Sequence, residues 1–554
     1  MGVYLLDYGA GNVRSLVNAV NKLGYEIKHV ESPQDLLKAE KLIFPGVGAF
    51  GAAMVRLHTT GYDKALKEYI ASGRPFMGIC VGMQCLFEGS DESPNVKGLG
   101  LIPSTVNKFN PATKSVPHMG WNSAAIAQPN SGLAELNHDG DENTRYYFVH
   151  SFAVPASKEI VDWTFSTTTY GDETFVSAVR KGNVFATQFH PEKSGWAGLK
   201  VLRSFLSYNP QGNGIANSTQ VHADAPSIIP KDHLTRRIIA CLDVRANDKG
   251  DLVVTKGDQY DVRERTTDGA DVRNLGKPVE LAKRYFEQGA DEITFLNITA
   301  FRDVPLHDLP MLEVLKRTSE SVFVPLTIGG GIRDLANPDG TIIPALQVAG
   351  EYFRSGADKV SIGSDAVYAA DQYYASGRQL TGQTAIEQIA RVYGAQAVVI
   401  SVDPRRVYVD SPQDAPTHHV IPTKFPGPNG EKYCWYQCTV KGGREGRDLD
   451  VYQLVIACEA LGAGEVLLNC MDKDGTNSGY DLELVTDVKR AVKIPVIASS
   501  GAGCAEHFGE VFNQTGVEAA LAAGIFHREE VPIEKVKSYL KKEGFEVRGM
   551  GTGL

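Results

Sequence analysis

Cys80 stands in Gly78-Ile79-Cys80-Val81-Gly82, between an apolar run, RPFM, and a helix-like stretch, GMQCLFEG. A nucleophile on a strand-to-helix turn needs small neighbours, because that turn is strained and crowded. The same turn sets the sulfur near a helix N-terminus, which favours the thiolate. His190 and Glu192 end a second apolar run, NVFATQFHPE, and supply a base for the sulfur and a carboxylate to orient the base. Pro45-Gly46-Val47-Gly48 follows a third run, KLIF. Its small residues leave amides around Val47 and Gly48 free to face a developing oxyanion, together with the Val81 amide. Taken singly, each motif also fits something blander: a buried core cysteine, an isolated His-x-Glu, a simple tight turn. Together they predict acyl transfer by a thiol.

A second set of candidates lies in the C-terminal half. Asp243 and Asp403 each end an apolar strand-like run, IIACLDV and AVVISVD. Two carboxyls facing one substrate can divide acid and base work if their surroundings push their pKa values apart. An Asp after a strand is also an ordinary cap or turn residue. Gly329-Gly330-Gly331 and Gly363-Ser364 follow two further runs, and Gly501 and Gly503, with Ala523 and Gly524, follow two more. Glycine-lined loops that lead into helices offer amides and a dipole to phosphate. A pair of such cradles predicts a substrate phosphorylated at both ends.

These residues need elements to position them. Residues 1–206 alternate short β-branched runs with amphipathic segments, which implies an α/β unit. Residues 207–232 are polar and rich in Gly, Pro, Asn and Ser, the composition of a linker. From 233 to 554 the alternation restarts, with candidate strands at 236–244, 291–298, 323–330, 358–364, 397–403, 464–472, 494–501 and 518–524. Eight strands separated by helical segments predict a (β/α)8 barrel, whose chemistry sits at the C-terminal ends of its strands. The first four resemble the last four at offsets of about 160 to 173 residues, so the barrel is expected to be a half-barrel repeat. Asp243 and Asp403 then face each other across the barrel mouth. At the opposite pole Arg237, Glu292, Lys359 and Glu465 each precede a strand. Two cations and two anions there form a charge-balanced ring, or else ordinary surface ion pairs.

Composition narrows the class. A net charge of −10 with no long basic run argues against nucleic acid, and no apolar stretch has the roughly 20 residues of a membrane span. The N-terminal segment has the pattern of a strand and a Gly turn, so a cytoplasmic protein is expected. Eight cysteines in 554 residues make no disulfide framework. Cys434 and Cys438 lack a second pair at zinc-ligand spacing, so no metal is assigned.

The motifs PGVG, GICVGMQ and FHPEKSG resemble those of the class I glutamine amidotransferases, over residues 1 to about 206. The resemblance implies a flavodoxin-like domain in which Cys80 forms a γ-glutamyl thioester and His190 and Glu192 complete a triad. It implies that Gly48, Val47, Val81, Gln84, His150 and Ser151 seat glutamine. RRIIACLDV, VVTKGDQYD, LTIGGGI, VISVDPRRV, CMDKDGTNSGYD and VIASSGAG resemble the cyclase barrels of histidine biosynthesis. With both halves on one chain, the match is to the fused imidazole glycerol phosphate synthases. It implies Asp403 as general acid and Asp243 as general base, with Lys256 and Asp474-Gly475 orienting or covering the substrate. It further implies that the charged ring is a gate where the glutaminase docks and that ammonia passes through the barrel. Trp121 suits that docking surface or a core equally. No cofactor is implied; the partners are small molecules, and domain–domain docking is intramolecular. Ser500 departs from the glycine of bacterial relatives, and the insertion 404–447, with a hairpin turn at PNG, is assigned no chemistry.

Overall fold

The computed structural model describes residues 2–9, 11–128, 133, 136, 144–209, 231–246, 252–255, 263–266, 269–272, 278–298, 309–336 and 340–549. Lys256 lies outside the described residues.

Lys41–Gly46, Phe76–Cys80 and Val184–Thr187 are buried along their whole lengths. Runs without polar alternation belong in a parallel sheet covered on both faces. They form its centre: Ile27–His29, Val3–Leu5, Lys41–Gly46, Phe76–Cys80 and Val184–Thr187 lie side by side and parallel. This is the flavodoxin-like order. Three antiparallel strands, Glu173–Lys181, Thr164–Tyr170 and Ala125–Ile126, extend one edge. Helices close the faces through narrow apolar stripes, as Val13–Lys22 does with Leu16, Ala19 and Val20.

The second unit is a closed barrel. Its strands are β1 (Arg237–Ala246), β2 (Glu292–Asn297), β3 (Leu326–Gly329), β4 (Lys359–Ile362), β5 (Val398–Val402), β6 (Glu465–Asn469), β7 (Val496–Ser499) and β8 (Ala519–Ala522). Every neighbouring pair is parallel, and β8 pairs with β1 from Arg237↔Ala519 to Ala240↔Ala522. Closure removes both sheet edges and sets β1 opposite β5. Each strand falls within or close to its predicted range. The interior holds an apolar layer: Ile239, Val399, Leu467, Ile497 and Leu521 form a buried cluster distinct from the main core.

The first unit packs on the pole where the strands begin. Asn12 caps the first helix by accepting from the Ser15 amide, and its own amide donates to Gly356 O and Asp358 Oδ1, both at 2.9 Å. Gly195 N donates to Phe323 O at 2.9 Å, and Lys193 Nζ pairs with Asp358 at 2.7 Å. Ser115 Oγ donates to Glu518 at 2.6 Å. Phe323, Asp358 and Glu518 all precede barrel strands. Trp121, which the sequence leaves divided between core and docking surface, serves both. It is fully buried, donates Nε1–H to Asp291 O at 3.1 Å, and carries the Arg548 guanidinium 4.3 Å from its ring.

The insertion forms a small antiparallel sheet of Pro404–Val409, Ile421–Pro422, Tyr433–Val440 and Glu445–Asp450, with a tight turn at Gly427-Pro428-Asn429-Gly430. Arg406 anchors it to the barrel through Asp481 at 2.6 Å.

Candidate functional site

Cys80 ends the central strand and precedes the short helix Val81–Gln84, with φ 53° and ψ −109°. A non-glycine residue in that region is strained, and such strain recurs at nucleophile turns. The turn packs so tightly that a Cβ at Gly82 would collide with the Phe44 carbonyl. His190 Nδ1 lies 2.7 Å from Glu192 Oε1, and both residues are almost wholly buried. Burial opposes the charged imidazole. The Glu192 carboxylate and the Cys80 sulfur outweigh it and raise the His190 pKa well above the ordinary value. The three side chains thus form one buried unit able to hold a thiolate–imidazolium pair.

Around it, Gly48 takes φ 135°, and the Tyr8 hydroxyl donates to Val47 O at 3.0 Å. Gln84 donates Nε2–H to Phe152 O and to Gln188 Oε1, both at 3.1 Å. Gln188 in turn donates to Cys80 Sγ at 3.4 Å. Gln188 escaped the sequence reading, although it stands two residues before His190. His150 is packed among Phe109, His118, Phe148 and Phe175. Its Nδ1 faces Phe152 O at 2.8 Å, and burial lowers its pKa to about 3, so it is a neutral ring. Ser151 is the turn residue between His150 and Phe152, and its carbonyl accepts from Phe109 N at 3.0 Å.

At the far mouth of the barrel a cavity of about 340 Å³ gathers the second set. Asp243, Asp403, Asp474 and Gly475 line it, as do Gly330, Gly331, Gly363, Ser364, Gly501, Ala523 and Gly524. Gly503 stands outside this lining, and its amide donates to His507 Nδ1 at 3.0 Å. Burial, above all, raises the Asp403 pKa; a hydrogen bond from Asn469 draws it back, and the Asp474 carboxylate adds to the rise. Burial thus favours the protonated form of Asp403.

The insertion, to which the sequence assigns no chemistry, contributes to this cavity. Gly442, Gly443 and Arg444 form part of the wall, and Lys441 N donates to Ser364 Oγ at 2.9 Å. The hairpin therefore brings an arginine to the mouth beside the Gly363-Ser364 loop. No local sequence pattern indicates that fold-back.

At the other pole Arg237, Glu292, Lys359 and Glu465 close into one ring. Arg237 bonds Glu292 at 2.9 Å and Glu465, and Lys359 reaches both glutamates at 2.6 Å. All four side chains are buried, so they are not surface pairs. Burial works against the charges of Arg237 and Glu292, yet their opposite neighbours prevail, raising the arginine's pKa and lowering the glutamate's. The first unit covers the ring: Lys359 Nζ approaches Met119 Sδ at 3.6 Å, and the buried Tyr147 hydroxyl lies within reach of the Glu292 and Arg237 charges.

A triad-type thiol site is thus stacked on a two-carboxylate barrel site, and two families match accordingly. The class I glutamine amidotransferases match residues 4–207, and the histidine biosynthesis proteins match residues 237–532. The chain is 61% identical to the imidazole glycerol phosphate synthase hisHF of Emericella nidulans, over 99% of its own length and 98% of that protein's. It is 58% identical to the protein of the same name from Schizosaccharomyces pombe, over 98% of both chains. With the Arabidopsis thaliana relative, whose name adds "chloroplastic", identity is 56% over 99% of this chain and 89% of the other. The chain belongs to the imidazole glycerol phosphate synthase family, in its fused, bifunctional form. Among the described residues, no helix is long and apolar enough to cross a membrane.

Proposed function

We propose that the chain hydrolyses glutamine at Cys80 and carries the ammonia through the barrel to a cyclisation at Asp243 and Asp403. The observation that carries this reading is the stacking of the two sites on opposite poles of one barrel, with the charged ring and an apolar layer between them. Cys80 attacks the glutamine carboxamide, His190 passes the sulfur's proton to the departing ammonia, and water then releases glutamate from the thioester. Glu192 holds the imidazole. Gly48, Val47 and Val81 surround the developing oxyanion. Gln84, with Gln188 behind it, fixes the floor of the site, and His150 and Ser151 act through the adjoining strand and turn.

Ammonia released into neutral water becomes mostly ammonium, which is no nucleophile. Along β1 the six steps from Arg237 to Asp243 span about 20 Å. The side chains between them are apolar, an environment that neutral ammonia crosses at far lower cost than ammonium. At the mouth the substrate is N′-[(5′-phosphoribulosyl)formimino]-5-aminoimidazole-4-carboxamide ribonucleotide, and the products are imidazole glycerol phosphate and 5-aminoimidazole-4-carboxamide ribonucleotide. Asp403 serves as acid and Asp243 as base. The Gly330-Gly331 and Gly363-Ser364 loops receive one phosphate, and Gly501-Gly503 with Ala523-Gly524 the other; Lys256 and Asp474 orient what lies between. The domains divide as 1–206, linker 207–232 and 233–554, and docking is intramolecular.

Cys80→Ala tests the glutaminase assignment. It should abolish glutamine-dependent product formation and leave turnover with ammonium salts at raised pH. Asp403→Asn should stop cyclisation from either nitrogen source. Full glutamine use by Cys80→Ala would overturn the triad.

A further inference from the structure

An acid that serves one substrate must present one particular oxygen. Asp403 Oδ1 accepts a hydrogen bond from the Asn469 side-chain amide at 3.0 Å, and the Asp403 carbonyl accepts from Thr439 Oγ1 at 2.6 Å. Asn469 is the last residue of β6 and lines the cavity. Its amide oxygen accepts from two hydroxyls, Ser499 Oγ at 3.3 Å and Ser500 Oγ. The two ends of an asparagine amide have nearly the same size and opposite hydrogen-bonding character. Unrestrained, such an amide beside a protonated carboxyl can turn its oxygen inward and accept the proton itself. Two hydroxyl donors on the oxygen keep the NH2 end toward Asp403.

Ser500 holds its place at a backbone cost. Its φ is +72°, in the left-handed region that disfavours residues with a Cβ. Gly330, one residue beyond β3 as Ser500 is one beyond β7, has φ 95° with no side chain to strain. A glycine at position 500 would relax the backbone and give up the hydroxyl that grips Asn469.

We propose that Asn469 is a positioning residue for the acid step, oriented by Ser499 and Ser500 so that it pins Asp403 Oδ1 and leaves Oδ2 as the oxygen that carries the proton to substrate. The inference rests on Asp403 being the general acid. In the step, the Oδ2–H bond breaks, the proton passes to the substrate, and the bonding pair stays on a carboxylate that the Asn469 N–H stabilises. Water returns the proton before the next turnover. Other ionisable groups also face Asp403: Asp474 from the loop after β6, Cys438 from the inserted hairpin, Arg444 at the cavity wall, and Asp243 across the mouth. Asn469 is the neighbour that favours the ionised form through a hydrogen bond. Its loss therefore raises the pKa of the acid.

The test is ammonium-driven cyclisation by the full chain, with kcat and KM measured across pH and the unfolding midpoint of each variant. Asn469→Ala should lose about tenfold to hundredfold in kcat with KM within about threefold, a loss within the range of general acid catalysis. The alkaline limb of its kcat profile should move to higher pH. Ser500→Gly should raise the unfolding midpoint yet lower kcat several-fold and move the limb the same way. Ser500→Ala should lower kcat similarly without the thermal gain. If Asn469→Ala fails to fold, the two Ser500 variants still carry the test. Variants with wild-type kcat and an unmoved limb would make the network merely structural and overturn the proposal. Wild-type turnover by Asp403→Asn would instead remove the acid assignment itself. An inactive Asp403→Asn beside an unaffected Asn469→Ala would remove only the positioning role.

Discussion

Glu192→Gln isolates the charge of the triad from its geometry. Glutamine keeps a carbonyl oxygen able to accept from His190 Nδ1 at the position where Glu192 Oε1 now lies 2.7 Å away, so the ring can stay in place. What disappears is a buried negative charge beside a buried imidazolium. At about 4 Å between charge centres and an effective dielectric of 20, that attraction is worth about 4 kcal/mol. The His190 and Glu192 side chains are only 6% and 4% exposed, so solvent screens little of it. At about 1.4 kcal/mol per decade this corresponds to roughly 10²–10³ in rate once partial relaxation is allowed. The sign follows from the surroundings of His190. Burial depresses its pKa, Glu192 and Cys80 raise it, and with Glu192 neutral the burial effect gains ground. The imidazolium, the positive charge that faces the Cys80 sulfur, should decline. Glutaminase kcat should therefore fall by roughly 10²–10³, and alkylation of Cys80 by iodoacetamide at pH 7 should slow comparably. Cys504, which is partly exposed, gives a background that Cys80→Ala subtracts. Ammonium-driven cyclisation should be unchanged. A variant that kept kcat within threefold and an unshifted alkylation profile would refute the charge argument.

Arg444→Ala should raise KM for the bisphosphorylated substrate by about tenfold or more, the loss of one charge-assisted hydrogen bond of about 1.5–3 kcal/mol, with a smaller change in kcat; steady-state kinetics with ammonium checks this. Glu465→Ala leaves Arg237 and Lys359 buried with one anion between them. It should destabilise the chain by about 3–5 kcal/mol in denaturant titration and lower the yield of imidazole product per glutamine consumed. Gly82→Ala should disable the glutaminase, because its Cβ would meet the Phe44 carbonyl that backs the nucleophile turn; glutamate release measures the loss.

What the sequence disclosed was local. Strand ends, glycine turns and their attached side chains lie within a few residues of each other, so Cys80, His190, Asp243 and Asp403 stand out as motif members. The four members of the charged ring were legible because each stands at the start of a strand and a closed barrel brings all strand starts to one pole. The rest depends on distance along the chain. Asn469 meets Asp403 across 66 residues, and Lys441 reaches Ser364 across 77. Nothing near those positions indicates the partner. Gln188 was obscured differently: a buried amide between Thr187 and Phe189 at the end of a strand has no spacing rule to mark it. His150 carries a motif, yet only packing reveals that its ring is enclosed by aromatic neighbours.

The charged ring has a consequence for the chemistry overhead. Positive and negative ions alternate around it, so it carries no net charge and has the symmetry of a quadrupole, whose potential decays far more steeply with distance than that of a lone ion. Asp243 and Asp403, about 20 Å along the strand, are shielded by that symmetry as well as by separation. The lower pole can be charged without being felt above for as long as its two cations and two anions stay balanced.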